Sequence, residues 1–132
     1  ADHLLIGGAM AYPFLKARGH NVGQSLCSDD DVKLAKSLIQ QDRGQKIKLP
    51  VDHVLATSRD DKGENSDSEH IPDRFTGFDI GERTQALFTS FISDAKSIFW
   101  NGPMGLFEKK PFLTICKSIV TARLFSIKKT NF

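Results

Sequence analysis

The sequence predicts an α/β fold with a mostly parallel sheet covered on both faces. Three observations predict it. Short apolar runs of strand character alternate with segments of helical periodicity. Two of those runs end directly in glycine-rich turns, Gly7-Gly8 and Asn101-Gly102-Pro103. The composition is 39% hydrophobic and 26% charged with ten Phe residues, as expected of one globular domain with material for a core.

The elements follow in order. His3 to Ile6, HLLI, reads as a short buried strand ending in Gly7-Gly8. Ala9 to Arg18 reads as a helix with Phe14 and Leu15 apolar. Pro13 falls in its first turn, where a missing N–H is tolerated. Gly19 is suited to stop it. Ser28 followed by Asp29-Asp30-Asp31 is a helix start: the hydroxyl caps, and the acids suit the positive end of the dipole. Val32, Ala35, Leu38 and Ile39 then recur at helical spacing. Three consecutive acids on a helix cannot all face one ion, which argues against a metal site there.

Residues 51–56, VDHVLA, read as a strand. From Thr57 to His70 the chain is polar and nearly free of apolar residues, which reads as a long solvated loop. Its acids Asp60, Asp61, Glu64, Asp67 and Glu69 do not follow the EF-hand order of calcium ligands. IPDRFTGFDIG, 71–81, is turn-rich and reads as a connection. Glu82 to Ala95 reads as a helix with Ala86, Leu87, Phe91 and Ile92 on one face. SIFW, 97–100, reads as a strand, and Phe112 to Ala122 as one more helix. No internal repeat is visible.

The net charge of +2 carries no basic stripe, and nothing interleaves aromatics with cations as a nucleic-acid surface would. Cys27 and Cys116 belong to no CxxC pair and read as reduced thiols in a reducing, cytoplasmic compartment. The four histidines, His3, His20, His53 and His70, are isolated in sequence and read as structural. No apolar run approaches a membrane span, and no signal peptide is evident. The start, Ala1-Asp2-His3, lacks Met, which suggests an internal piece of something longer.

In parallel sheets ligands sit at the carboxyl ends of the strands, where both glycine-rich segments fall. Glycine there lets a backbone approach a ligand closely. Glu108, just beyond Gly105, is placed to accept two hydrogen bonds from a diol such as a ribose. The alternative is that Gly7, Gly8, Gly102 and Gly105 only serve tight turns and Glu108 caps a following helix. Neither GxxxxGK[ST] nor GxGxxG occurs.

Four segments in order, LLIGGAMAYPFLKARGHNVGQSL, LPVDHVLA, IPDRFTGFDIG and WNGPMGLFE, resemble the C-terminal, nucleotide-binding domain of the phosphoglycerate kinase family. The resemblance spans roughly residues 2–120. It implies a Rossmann-like three-layer fold with a mostly parallel sheet, incomplete relative to the family domain. Residues 1–122 would be the partial domain and 123–132 a divergent tail. The implied reaction is phosphoryl transfer between ATP and 3-phosphoglycerate, with magnesium, in glycolysis. The implied partners are ATP or ADP, with 3-phosphoglycerate bound only through an N-terminal domain that these residues do not contain. Neither nucleic acid nor membrane is implied, and the family is usually monomeric.

Carried over by position, Glu108 matches the family's ribose-binding glutamate, here in GLFE rather than GVFE. Gly77 matches the glycine whose backbone lines the adenine pocket. Gly7 and Gly8 match the glycine run beside base and sugar. Asn101, Gly102 and Pro103 match the segment at the phosphate side, and Leu106 and Phe107 would wall the adenine. Departures are equally plain. A lysine segment like GSKVSDKI, the GGGD segment with its magnesium-binding Asp, and the catalytic arginine have no counterpart in these residues. Hence no catalytic residue and no metal ligand is assigned. Pro13 stands where the family has Thr, and Glu82 where it has Pro.

Overall fold

The structure, a computed structural model, describes residues 1–43, 45–102 and 104–105. The strands are β1 (Leu4–Leu5), β2 (Ile47–Lys48), β3 (His53–Ala56), β4 (Glu64–Asn65) and β5 (Thr76–Ile80). The helices are α1 (Ala11–Ala17), entered through a 3-10 turn at Gly8–Met10, α2 (Asp29–Gln41) and α3 (Glu82–Asp94).

Local chemistry explains the helix ends. Pro13 sits in the first turn of α1, where its missing N–H costs nothing. Beyond α1, Gly19 takes φ +92°, the left-handed conformation that closes a helix. The Ser28 hydroxyl accepts the Asp31 N–H at 3.2 Å and donates to the Asp31 carboxylate, capping α2 as expected.

β1 and β2 pair in parallel, Leu4 against Ile47. β3 is the centre of a second, antiparallel sheet ordered β4-β3-β5. An isolated parallel bridge, Val22 to Ile71, ties the loop after α1 to the segment before β5. The α/β class and its parallel pair stand as expected, and the antiparallel trio is an addition.

Successive strand residues face opposite sides, and two cores result. Ile6 and Leu55 join Tyr12, Phe14, Leu15, Ala35, Ile47 and Ile71 on the side of α1 and α2. Leu5 and Val54 join Ile80, Phe88 and Ile92 on the side of α3. The strands are therefore sandwiched between helices in three layers.

Several expectations are corrected. β2 and β4 were not expected, and 71–81 contains the longest strand, β5. SIFW, 97–100, is not a strand: its backbone pairs with no strand among the described residues, and Ile98, Phe99 and Trp100 are exposed. α2 meets α1 through the small Ala35, while Leu38 is turned outward beside Leu34. α3 buries Thr84, Phe88 and Ile92, spaced four apart, rather than Ala86 and Phe91. Phe91 lies instead against His3, ring centroids 4.6 Å apart. The Glu82 N–H donates to Asn65 Oδ1 at 3.0 Å, a bond that a proline at that position could not make. The expected helix over 112–122 and the tail at 123–132 lie outside the described residues.

Candidate nucleotide site

The end of β1, the strand β5 and the turn at 101–105 converge. Gly7 lies just past β1, after Ile6, and Gly8 takes φ +64° to start the turn that packs against β5. Met104 lies on Gly7 so closely that a Cβ there would meet its sulfur, and Ile80 closes the other side at 3.3 Å. Gly77, buried in β5, faces the ring of Tyr12. A methyl at Gly77 would stand 2.8 Å from two ring carbons. The Gly77 N–H is held by Ser25 Oγ at 2.9 Å. The bare backbone at these positions is required by close approach.

Polar groups line the base of this region. Tyr12 is 4% exposed, and burial, then the nearby Asp79 charge, push its phenol well above the ordinary range. Asp79 is buried in β5, with Oδ1 accepting the Ile80 N–H at 2.8 Å. Burial pushes its carboxyl up to about 7, against the smaller downward pull of that bond. His53 donates Nε2–H to the Glu69 carbonyl at 3.1 Å, and burial lowers its imidazole so that it stays neutral. These residues were missed from sequence. For His53 and Asp79 the signal is a polar residue at an inward strand position, whereas Tyr12 lies on α1.

Among the expected site residues, Gly7, Gly8 and Gly77 cluster around the 3-10 turn and β5. Asn101 and Gly102 are exposed at the turn, where Gly102 takes φ +80° and its carbonyl accepts the Trp100 Nε1–H at 2.6 Å. Pro103, Leu106, Phe107 and Glu108 lie outside the described residues.

Two other features sit apart. A cavity of about 610 Å³ lies beside the ends of α1 and α2, lined by Leu15, Arg18, Ile39, Ile47 and Lys48 among others, and by none of the expected site residues. The histidines, isolated in sequence, are not isolated in space. His70 Nδ1 accepts the Asn21 N–H at 3.2 Å, so its own proton sits on Nε2 and points to His20 Nδ1 at 3.4 Å. His20 then gives Nε2–H to Glu69 at 2.9 Å. With its outer nitrogen occupied by a donor, His70 is poorly set to ligate a metal, and no metal-holding cluster occurs among the described residues.

The family model for phosphoglycerate kinase matches residues 1–130. This chain belongs to the phosphoglycerate kinase family. The phosphoglycerate kinase of Lactobacillus delbrueckii subsp. lactis is 50% identical over 113 residues, covering 85% of this chain and 28% of that protein. That of Fusobacterium nucleatum subsp. nucleatum is 48% identical over 125 residues, covering 90% of this chain and 31% of that protein. Among solved structures, phosphoglycerate kinase from Coxiella burnetii superimposes with TM-score 0.87 at 30% identity over 93% of this chain and 33% of that one. The chain thus spans less than a third of the length of these phosphoglycerate kinase relatives. Among the described residues no helix is long and apolar enough to cross a membrane.

Proposed function

We propose that this chain supplies the adenosine side of the nucleotide site of a phosphoglycerate kinase. The whole protein's reaction would be phosphoryl transfer between ATP and 3-phosphoglycerate in cytoplasmic glycolysis. The observation that supports it best is that Gly7, Gly8 and Gly77 are brought together where the 3-10 turn packs on β5, with Met104 and Gly105 of the following turn lying against the same region. In this reading Gly77 lines the adenine, and Gly7 and Gly8 lie beside base and sugar. Asn101, Gly102 and Pro103 stand toward the phosphates, Leu106 and Phe107 wall the ring, and Glu108 grips the ribose. By family resemblance magnesium would accompany the nucleotide phosphates, with its aspartate in the GGGD segment that these residues do not contain. Bound there, it would neutralise phosphate charge.

The 132-residue polypeptide by itself binds nucleotide without transferring phosphate. Fixed donors for the moving phosphoryl group are worth roughly 100- to 1,000-fold each, and the lysine, arginine and glycine-rich helix start expected by resemblance are outside these residues. A coupled assay with ATP, magnesium and 3-phosphoglycerate should read blank. Titration with ADP should show binding, and Glu108→Ala should weaken it by about 1–3 kcal/mol through lost charged hydrogen bonds. An unchanged affinity in that variant would remove the ribose role. No binding by the native chain would remove the site.

A further inference from the structure

We propose that Asp79 is a positioning residue whose proton seats the Trp100–Gly105 turn against the sheet. This deepens the adenosine-site reading, because that turn leads directly into the segment assigned to the sugar and base.

The geometry is specific. Asp79 is 1% exposed, and its Oδ2 has no hydrogen-bond partner among the described residues. The backbone of Gly105 lies directly over that carboxyl, so closely that a Cβ on Gly105 would collide with Cγ and Oδ1. One residue earlier, Met104 covers Gly7. The turn therefore rests on two points, the end of β1 and the Asp79 carboxyl. Trp100, at its start, is tied to Gly102 by the indole N–H.

The chemistry of the carboxyl then decides how firmly the turn sits. As a carboxylic acid, Asp79 is uncharged and gains a donor on the otherwise unpartnered oxygen, so the Gly105 main chain can close over it without burying a charge. As a carboxylate it is acceptor-only and buried, with the Ile80 N–H alone donating to it among the described residues, which is costly. Among the described residues no ion pair to Asp79 supplies a positive charge. The titratable groups on the elements packed against β5 are Tyr12 and Lys16 of α1, Asp52 just before β3 and His53 within it, and Glu82, Arg83 and Asp94 of α3, with the Lys16 ammonium turned to Asp29. Tyr12 and His53 are neutral, Asp52 is an acid, and the Arg83 guanidinium is turned to the Asp67 carbonyl at 3.2 Å. The upward displacement of the Asp79 carboxyl to about 7 agrees with this setting.

Trp100 is the sole tryptophan of the sequence, so its fluorescence reports the turn alone. Emission of the full 132-residue chain would be followed from pH 5 to pH 9, with ADP affinity measured in parallel. One transition near pH 7 is expected, toward a more solvated indole at high pH, with ADP binding weakening across it. Asp79→Asn, which keeps a donor at every pH, should abolish the transition and hold the low-pH emission throughout. Gly105→Ala, which leaves the carboxyl intact but forces the turn off it, should show the high-pH emission throughout. A native chain with no transition, or a transition that survives Asp79→Asn, would overturn the proposal. A normal Trp100 transition with no ADP binding at any pH would support it and instead sink the adenosine reading.

Discussion

Asp52→Ala is expected to destabilise the chain by about 3–5 kcal/mol, measured by urea unfolding. Asp52 is fully buried at the start of β3. Its carboxylate receives the Arg83 N–H at 2.9 Å, the Thr84 N–H at 2.8 Å and the Thr84 hydroxyl at 2.5 Å. These are donors of the first turn of α3, which has no partner inside its own helix for them. The Thr84 hydroxyl also receives the Val51 N–H at 3.0 Å. Truncation to alanine strands these donors in a dry interior at once. Gly81 leaves room for the carboxylate, since a Cβ there would strike it. The pH dependence has a definite sign. Burial pushes the Asp52 carboxyl up, but the bonds from Thr84, Arg83 and Asn65 outweigh it and hold it below the ordinary range. A depressed folded value stabilises above the unfolded value of about 3.9 and is lost as pH falls through the folded one. The native chain should therefore lose stability in acid, and Asp52→Ala should lose that part of the dependence. A variant within about 1 kcal/mol of the native chain would show that α3 is capped some other way.

Asp79→Asn is expected to act in the opposite direction. The folded carboxyl lies near 7, above an unfolded value of about 3.9. A raised folded value means that folding takes up a proton between those limits. Stability is then fullest below about pH 4, declines up to about pH 7, and stays reduced above it. Roughly three pH units correspond to about 4 kcal/mol. Asparagine carries no charge to bury, so the variant should be more stable than the native chain at pH 8 by an amount of that order, and the two should converge toward pH 4. Thermal melts at pH 4, 6 and 8 decide it. Equal differences at all three would show that ionisation of Asp79 is not what they measure.

Two buried carboxylates on neighbouring strands thus titrate in opposite directions, and neither was legible in the sequence. The reason is the same physics that makes strands legible elsewhere. VDHVLA and HLLI are apolar enough to announce themselves. In β5 the buried positions include Gly77 and Asp79, so the period-two apolar signal is missing and the segment reads as turns. The α3 face was misjudged for a related cause. Thr84 heads the buried row with Phe88 and Ile92, and a polar residue at its head disguises it. SIFW shows the converse error. Its apolar, β-prone residues satisfy propensity, but a strand exists only through pairing, which no local pattern encodes. Caps and stops were legible because Ser28, Pro13 and Gly19 act within a few residues of themselves. The glycines of the candidate site were found by their place after strands. What was not visible was which neighbour presses on each: Met104 on Gly7, Tyr12 on Gly77, Asp79 beneath Gly105.

The division of the strand residues between two cores makes the layer of strands a partition wall. Leu55 hangs on one side of it and Phe88 packs on the other, and the two groups of side chains have no member in common. Damage on one side should stay there. The losses caused by Leu55→Ala and Phe88→Ala should therefore sum in the double variant, and a double loss well short of that sum would mean that the peptide planes carry strain across the wall.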